Sequence, residues 1–546
     1  MLRITELKLP INHAETDLAA ALVARLEIKP DALLNFIVFR RGYDSRKKAD
    51  VQLVYTLDVE VVPAHEAYLL KKFRKDVHIG VTPDTSYKLV ATPVAFAENS
   101  LRPVVIGLGP CGMLAALILA QMGLKPIILE RGKIVRERTK DTWAFWRKGE
   151  LDPESNVQFG EGGAGTFSDG KLWSQVKDPK HYGRKVLEEF VKAGAPDEIL
   201  YSSKPHVGTF RLVKMVEHIR GTIESLGGEF RFQHKVVDIE LEAGATSNDR
   251  KQIRGVVLEN GETLRADNVI LAIGHSARDT FQMLFDRGVY IEAKPFSIGF
   301  RIEHPQPFID RTQYHLDPGQ ERPRLLPAAR YRLATKIRGR GVHSFCMCPG
   351  GWVVPASTEN DEVVVNGMSL SRRDSPFANS GMVATVEPED LTSLVKQHGV
   401  LAGLVFQKQL EQTAKQAGGG GQVAPGQRVT DYLDGRISAD LPETSYFPGL
   451  TSAPLHELLP PWITGRMREG LRLFGRQMHG YISSEALLIG FETRTSSPVR
   501  VPRQDDTLEH QQIAGLFPCG EGAGYAGGIV SAALDGLRIA DAACKP

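Results

Sequence analysis

The stretch 103–120, Pro-Val-Val-Ile-Gly-Leu-Gly-Pro-Cys-Gly-Met-Leu-Ala-Ala-Leu-Ile-Leu-Ala, constrains the fold more than any other part of the chain. An apolar run, a Gly-x-Gly-x-x-Gly spacing and a second apolar run read as a buried strand, a tight turn and the opening of a helix. Gly107 permits the sharp turn, Gly109 lets the backbone approach a pyrophosphate, and Gly112 lets helix and strand pack closely. Phosphates held there face unpaired N–H groups at the positive end of the helix. The next strand, 125–130, ends at Glu130, which lies 23 residues past Gly107. A carboxylate at that spacing suits the adenosine ribose hydroxyls, and it would repel a 2′-phosphate. The ordered set predicts a site for NAD or FAD rather than NADP.

Composition narrows the class further. A chain of 546 residues has room for two or three compact units. With 42% hydrophobic and 24% charged residues it is not mainly disordered, and a net charge of +2 demands no polyanionic partner. Five cysteines, Cys111, Cys346, Cys348, Cys519 and Cys544, are an odd number and too few for a disulfide framework, which fits a reducing, cytoplasmic compartment. The amino terminus is charged where a secretory signal needs an apolar core. The most apolar stretch, 104–122, carries Gly107, Gly109, Pro110 and Gly112, poor material for a lipid-spanning helix, so no membrane is expected.

Residues 1–95 read as a small α/β accessory unit. Residues 4–9 and 34–39 are strand-like, 16–26 has helical apolar spacing, and 51–62 alternates like a half-buried antiparallel strand. Pro83, Pro93 and the polar 98–100 mark a linker. The run 418–421 of four glycines, followed by Pro425-Gly-Gln, predicts a mobile loop, either a lid over a site or an excursion without a role.

Two later segments choose between the dinucleotides. Residues 266–276 form another buried strand, running through Ala272 to Gly274, where a small residue tolerates close ligand approach. Residues 513–536 pair a strand ending in Gly520-Glu521 with a Gly527-Gly528-Ile529 lead into a small-residue helix. Together these pieces resemble the glutathione-reductase-like FAD fold. NAD-only dehydrogenases lack this carboxyl-terminal return, so FAD is the expected cofactor. The resemblance implies that Glu521 bonds the ribityl chain and that the following helix aims its amino terminus at the flavin N1–C2=O edge.

Three further stretches, 159–172 (Phe-Gly-Glu-Gly-Gly-Ala-Gly-Thr-Phe-Ser-Asp-Gly-Lys-Leu), 344–351 and 491–500, are similar to signatures of a bacterial family of uncharacterised FAD-dependent dehydrogenases with an extra amino-terminal domain. A more distant similarity is to flavoproteins of the fumarate-reductase type. The resemblance implies that 162–171 runs beside the flavin ring and pyrophosphate, with Gly163, Ala164, Gly165 and Thr166, then Asp169, Gly170 and Lys171, at the cofactor. It also implies that the backbone of Val236 meets the adenine. Pro110, Cys111 and Arg131 join the expected cofactor residues through their places beside the fingerprint and Glu130.

The expected architecture is therefore α/β: a Rossmann-type FAD-binding domain assembled from 96–175, 236–280 and 491–546. A mixed α+β cap from 176–235 and 281–490 would face the substrate, beside the amino-terminal unit. The expected activity is hydride transfer between a non-covalent flavin and a small-molecule substrate that the sequence does not identify. No second strand–glycine–helix unit occurs between 170 and 510, so NAD(P)H, if it is a transient reductant, binds without a Rossmann motif of its own.

Chemistry beyond the cofactor leaves alternatives open. His275 offers an acid, a base or a hydrogen-bond donor beside the flavin, or a purely structural donor. Arg494 clamps an anion or pairs internally with Glu492 or Glu485, and Arg372 and Arg373 pose the same choice. In a strand, Cys346 and Cys348 would share a face about 6.6 Å apart, the stretched limit for a disulfide. Cys111 and Cys519 read as small residues suited to turns, and no cysteine or histidine spacing completes a metal site. Basic clusters at Arg40-Arg41 with 46–48, and at 71–75, face RNA or acidic partners, or are solvated loops diluted by Asp44, Asp50 and Asp76. Nucleic acid is not the expected partner. A flavin-containing RNA-associated factor and a non-catalytic flavin sensor are the other readings.

Overall fold

The computed structural model describes residues 1–46, 51–90, 101–174, 176–244 and 250–544. Strands that are apolar on both faces must be covered on both faces. Val104–Ile106, Ile127–Glu130 and Val269–Leu271 accordingly form the middle of a five-stranded sheet between Leu516–Pro518 and Glu229–Phe232, every pair parallel. Alternation sorts the side chains. Val105, Ile128, Ile270 and Phe517 pack on the helices Pro110–Gln121, Tyr182–Lys192, Thr209–Ser225 and Ile529–Ala543. Val104, Ile106, Leu129, Val269, Leu271 and Leu516 point the other way, onto a small sheet of Val236–Glu242, Lys251–Leu258, Thr263–Arg265 and Ile513–Ala514. The fingerprint helix is buried on nearly every side, which is why it is apolar all round.

This arrangement corrects the expectation for 176–235. Those residues supply two helices of the cofactor domain's covering layer and its edge strand Glu229–Phe232. Val176, Glu198, 202–206, His234 and Lys235 reach the cavity described below. The apolar spacing of these helices gave no sign of which sheet they would cover.

The cap is a seven-stranded sheet in the order Ala334–Ile337, Arg340–Cys348, Phe377–Val386, Phe296–Pro305, Leu487–Glu492, Ala424–Arg428 and Leu450–Ser452, antiparallel except for the last pair. Its core packs against the helices Ala402–Gly418 and Pro461–Gln477. The glycine run forms a short turn rather than a long loop: Gly418 ends a helix, Gly419 caps it with φ 87°, and Pro425, Gly426 and Gln427 lie in a buried strand. A Cβ on Gly418 would stand 1.9 Å from the Val423 carbonyl oxygen, so glycine serves a close approach there.

The amino-terminal unit is a βαββαβ fold of Leu2–Pro10, Glu15–Leu26, Leu33–Asp44, Gln52–Val61, Pro63–Lys72 and Ile79–Val81. Its antiparallel sheet places the first strand between the third and fourth, the ferredoxin-like order. The edge strand Leu33–Asp44 is partly used: Arg41 N–H donates to the Tyr201 carbonyl at 2.6 Å and Ser203 N–H donates to the Arg41 carbonyl at 2.8 Å. Tyr87 donates to Asp541 at 2.6 Å beside Tyr182, tying the start of the linker to the last helix. Pro93 and 98–100 lie outside the described residues, as do Lys47, Lys48 and Asp50. Among the described residues no helix is long and apolar enough to cross a membrane.

Candidate functional site

One cavity of about 1750 Å³ runs across the carboxyl ends of the parallel strands and on beneath the cap. Open α/β sheets bind ligands at that end. Glu130 and Glu521 both line it. So do Gly107, Gly109, Pro110, Cys111 and Arg131 from the fingerprint side. The 162–171 loop contributes Gly163, Ala164, Gly165, Asp169, Gly170 and Lys171, and Val236, Ala272 and Gly274 add the floor. Gly527, Gly528 and Ile529 bring the amino terminus of the last helix to the same space.

Three of the expected residues stand behind the wall instead. Gly112 is a packing residue, since a Cβ there would lie 2.0 Å from the Gly107 carbonyl. A Cβ on Gly520 would lie 2.9 Å from the Cys111 side chain. The Thr166 hydroxyl is buried without a partner, under Gly162. Cys111 and Cys519 come together, their Sγ atoms 2.7 Å apart, which nothing in their separate turns foretold. Asp535 lies near them, but its carboxylate is taken by Arg503 and the Gly520 N–H.

The residues fit an elongated dinucleotide. A Cβ on Gly109 would meet nothing nearer than 3.8 Å, and Cβ atoms on Gly274, Gly527 and Gly528 would enter open space. Backbone therefore borders empty volume where a phosphate or a ring edge needs it. Glu130 accepts from the Leu108 and Gly132 N–H groups at 2.9 Å and from Gly160 N–H at 3.0 Å. A carboxylate has about four acceptor positions, so one remains for a ribose hydroxyl. Arg131 lies over the Phe159 ring at 4.1 Å and pairs with Glu154 and Asp279, which fixes its plane.

At the opposite end the structure joins two residues that the sequence assigned separately. His275 Nδ1 lies 3.1 Å from Glu521 Oε1, and its buried Nε2 has no partner. With the proton on Nδ1 donated to Glu521, Nε2 carries a lone pair enclosed by the protein. A buried acceptor left unpaired is costly.

Beside the 162–171 loop sits a second charged group. Asp169 binds Arg373 through both oxygens, accepts from Ser369, and stands 3.3 Å from Lys171. Burial would raise its carboxyl, but Lys171 and Arg373 hold it well below the ordinary range. Lys171 Nζ reaches Cys346 Sγ at 3.6 Å. The two cysteines do not lie in a regular strand: a bulge falls between Phe345 and Cys348, and Cys346 stands at φ 43°. Hydrogen bonding with Cys348, then Lys171 and Arg301, lowers the Cys346 thiol well below its usual pKa against its burial. A non-glycine residue held at positive φ on a cavity wall is a mark of functional sites.

Arg494 reaches the cavity wall, yet its guanidinium faces inward. It binds Glu362 and Glu411, with Thr358 as a third partner, and Arg278 completes the group from the cofactor side. Neither Glu492 nor Glu485 is its partner. Glu492 belongs to Arg301, which holds both its oxygens at 2.7 and 2.9 Å. Burial would raise Glu411, but Arg278 and Arg494 keep it well below the carboxylate range. Arg373 likewise resolves into an internal pair. Partners separated by more than 80 residues, as these are, leave no local signal.

Known proteins share this chain's features in part and in whole. Residues 295–495 match the family described as FAD-dependent protein, C-terminal domain-like, and residues 1–60 match a domain of unknown function. Among solved structures, this chain is similar to the L-amino acid deaminase of Proteus myxofaciens (13% identity, 84% of this chain and 94% of that one, TM-score 0.33). It is also similar to the glycine oxidase of Bacillus cereus (13% identity, 81% and 95%, TM-score 0.28). At such values neither activity nor ligand transfers. An uncharacterised protein of Clostridium beijerinckii is 42% identical over 99% of this chain and 98% of its own length. With that protein this chain belongs to one family of FAD-dependent proteins.

Proposed function

We propose that this chain is an FAD-dependent oxidoreductase that exchanges a hydride between a non-covalent flavin and a small molecule held under the cap. The observation that carries the reading is the continuity of the cavity from Glu130 past Glu521 into the cap. Its volume exceeds the roughly 300–1,000 Å³ of a drug-sized ligand site, so a dinucleotide leaves space for a second molecule. When bound, FAD supplies the redox chemistry. Glu130 and the fingerprint turn would hold its adenosine and phosphates, and the helix starting at Ile529 would direct its positive end at the ring.

The chain's own contribution is positional. Glu521 fixes the orientation of the His275 ring, which forms part of the cavity wall beside it. Lys171, Cys346 and the cap strands wall that space on the cap side. Purified protein should be yellow, and anaerobic mixing with NADH, NADPH or candidate organic reductants should bleach it, with colour returning on admission of an acceptor. Colourless protein that takes up no FAD overturns the reading. A flavin that no reductant bleaches reduces it to a binding protein.

A further inference from the structure

Beyond the flavin end, the cavity wall is built from three units and carries cations that no acid answers. Lys204 comes from the cofactor domain, Arg330 and Arg332 from the cap, and Arg41 from the amino-terminal unit. Among the described residues none of these four makes an ion pair; Lys204 lies over the Trp173 ring, and Arg41 lies over the Tyr201 ring with the Tyr55 hydroxyl as a further neighbour. Asp169 lines the same cavity but is engaged by Arg373 and Lys171. That leaves Glu198 as the one other acid on this part of the wall, as Glu130 and Glu521 belong to the dinucleotide end.

The cations are also mutually close. Burial lowers Lys204, and Arg330, Arg332 and Arg40 lower it further. Burial, then Arg373, brings Arg330 down to about 10, so it stays charged at neutral pH. His206 among them falls to about 4 by burial and by Arg373, and is a neutral hydrogen-bonding group there. Like charges gathered in a half-enclosed space destabilise the free protein, and a bound anion removes that cost.

We infer that this cation wall is the substrate's recognition site and that the substrate is a multiply charged organic anion, a polycarboxylate or a phosphate ester. Half-buried Arg330 with exposed Lys204 and Arg332 sets three unanswered cations on this wall against one acid, which favours at least two negative charges, and Arg41 adds a fourth from the amino-terminal unit. The inference rests on the oxidoreductase reading in that it names the substrate class of the same cavity. The anion's charged end lies along Lys204, Arg330 and Arg332, which leaves its other end toward His275 and Cys346.

The test is calorimetric titration of the flavin-loaded full chain with inorganic pyrophosphate and with tricarballylate, a tricarboxylate, using acetate as the singly charged control. Saturable binding of either polyanion is expected, weakening steeply with added salt, with acetate far weaker. Pyrophosphate alone would assign a phosphate ester, tricarballylate alone a polycarboxylate. Arg330→Ala and Lys204→Ala should each weaken binding tenfold or more. Their melting temperatures should equal or exceed wild type, because each removes a repelling charge. Failure of both polyanions to bind, equal binding by the variants, or equal binding of acetate overturns the inference. Because the readout is heat, it is independent of colour: yellow, reducible protein that binds no polyanion sinks this inference alone. Colourless protein that binds polyanions through Arg330 sinks the oxidoreductase reading alone.

Discussion

Replacing Arg494 with methionine separates a structural role from a chemical one. The side chain is 4% exposed, and those of Glu362 and Glu411 are fully buried. With Arg278 the group holds two positive and two negative charges, so Arg494→Met leaves an uncompensated carboxylate. Breaking a buried ion pair from one side costs about 3–5 kcal/mol, because the surviving charge stays desolvated. For a unit of about 200 residues each kcal/mol moves the melting temperature by roughly 2–4 °C, so the cap transition should fall by about 6–20 °C. Adding Glu362→Gln restores neutrality. The new amide oxygen still accepts from the Thr358 and Glu359 N–H groups, at 2.7 and 3.1 Å in the parent. The double variant should therefore recover about 2 kcal/mol of the loss. Calorimetric melting gives the stabilities, and the rate of anaerobic bleaching per bound flavin at 15 °C gives the chemistry, which should stay near wild type. An unchanged transition together with abolished bleaching refutes the reasoning and returns Arg494 to the substrate.

Two further perturbations are worked from the same geometry. Gly109→Ala has φ −76° and no neighbour within 3.8 Å, so the apoprotein should melt as wild type while FAD content falls; Gly112→Ala meets the Gly107 carbonyl and should lose about 3 kcal/mol of stability as well. Flavin retention in Gly109→Ala would count against a phosphate at that turn. Burial holds His304 at about 4, below the roughly 6.5 of an exposed imidazole. Between those values the unfolded chain binds the proton and the folded chain does not, so stability falls as pH drops through that window, by up to about 3 kcal/mol in all. Urea midpoints from pH 7 to 4.5 should show that slope, reduced in His304→Gln; identical slopes in the two proteins would exclude this histidine as the cause.

What the sequence disclosed and what it hid divide along a physical line. Gly107, Gly109, Gly112 and Glu130 act through backbone geometry and spacing within some two dozen residues, so the order of residues displays them. The Gly520-Glu521 return and the Gly527-Gly528 lead are equally local. The ion quartet of Arg278, Glu362, Glu411 and Arg494 joins four distant segments, and its members look like any charged residues until the fold collects them. The Cys111–Cys519 approach is hidden for the same reason. The misplaced stretch 176–235 shows a different limit: apolar spacing reveals that a helix has a buried face, but not which sheet covers it. The bulge at Cys346 defeats a strict period of two, because one extra residue moves every later side chain to the other face.

The amino-terminal unit brings these two kinds of information together. Its basic residues, read in order, suggest a polyanion surface. In the fold several are answered within the unit: Arg25 by Asp76, Lys72 by Glu27, and Lys8 and Arg46 by Asp44. Arg41 differs because its backbone is the one that pairs with 201–203, which carries the residue to the rim of the cavity. A single strand-edge contact thus converts a surface charge into a cavity charge, and it does so next to Lys204, three residues after Tyr201. The unit's contribution to the site then depends on that edge pairing rather than on its surface, and exposed cations such as Lys71, Arg74 and Lys75 belong to the opposite case of solvated charge.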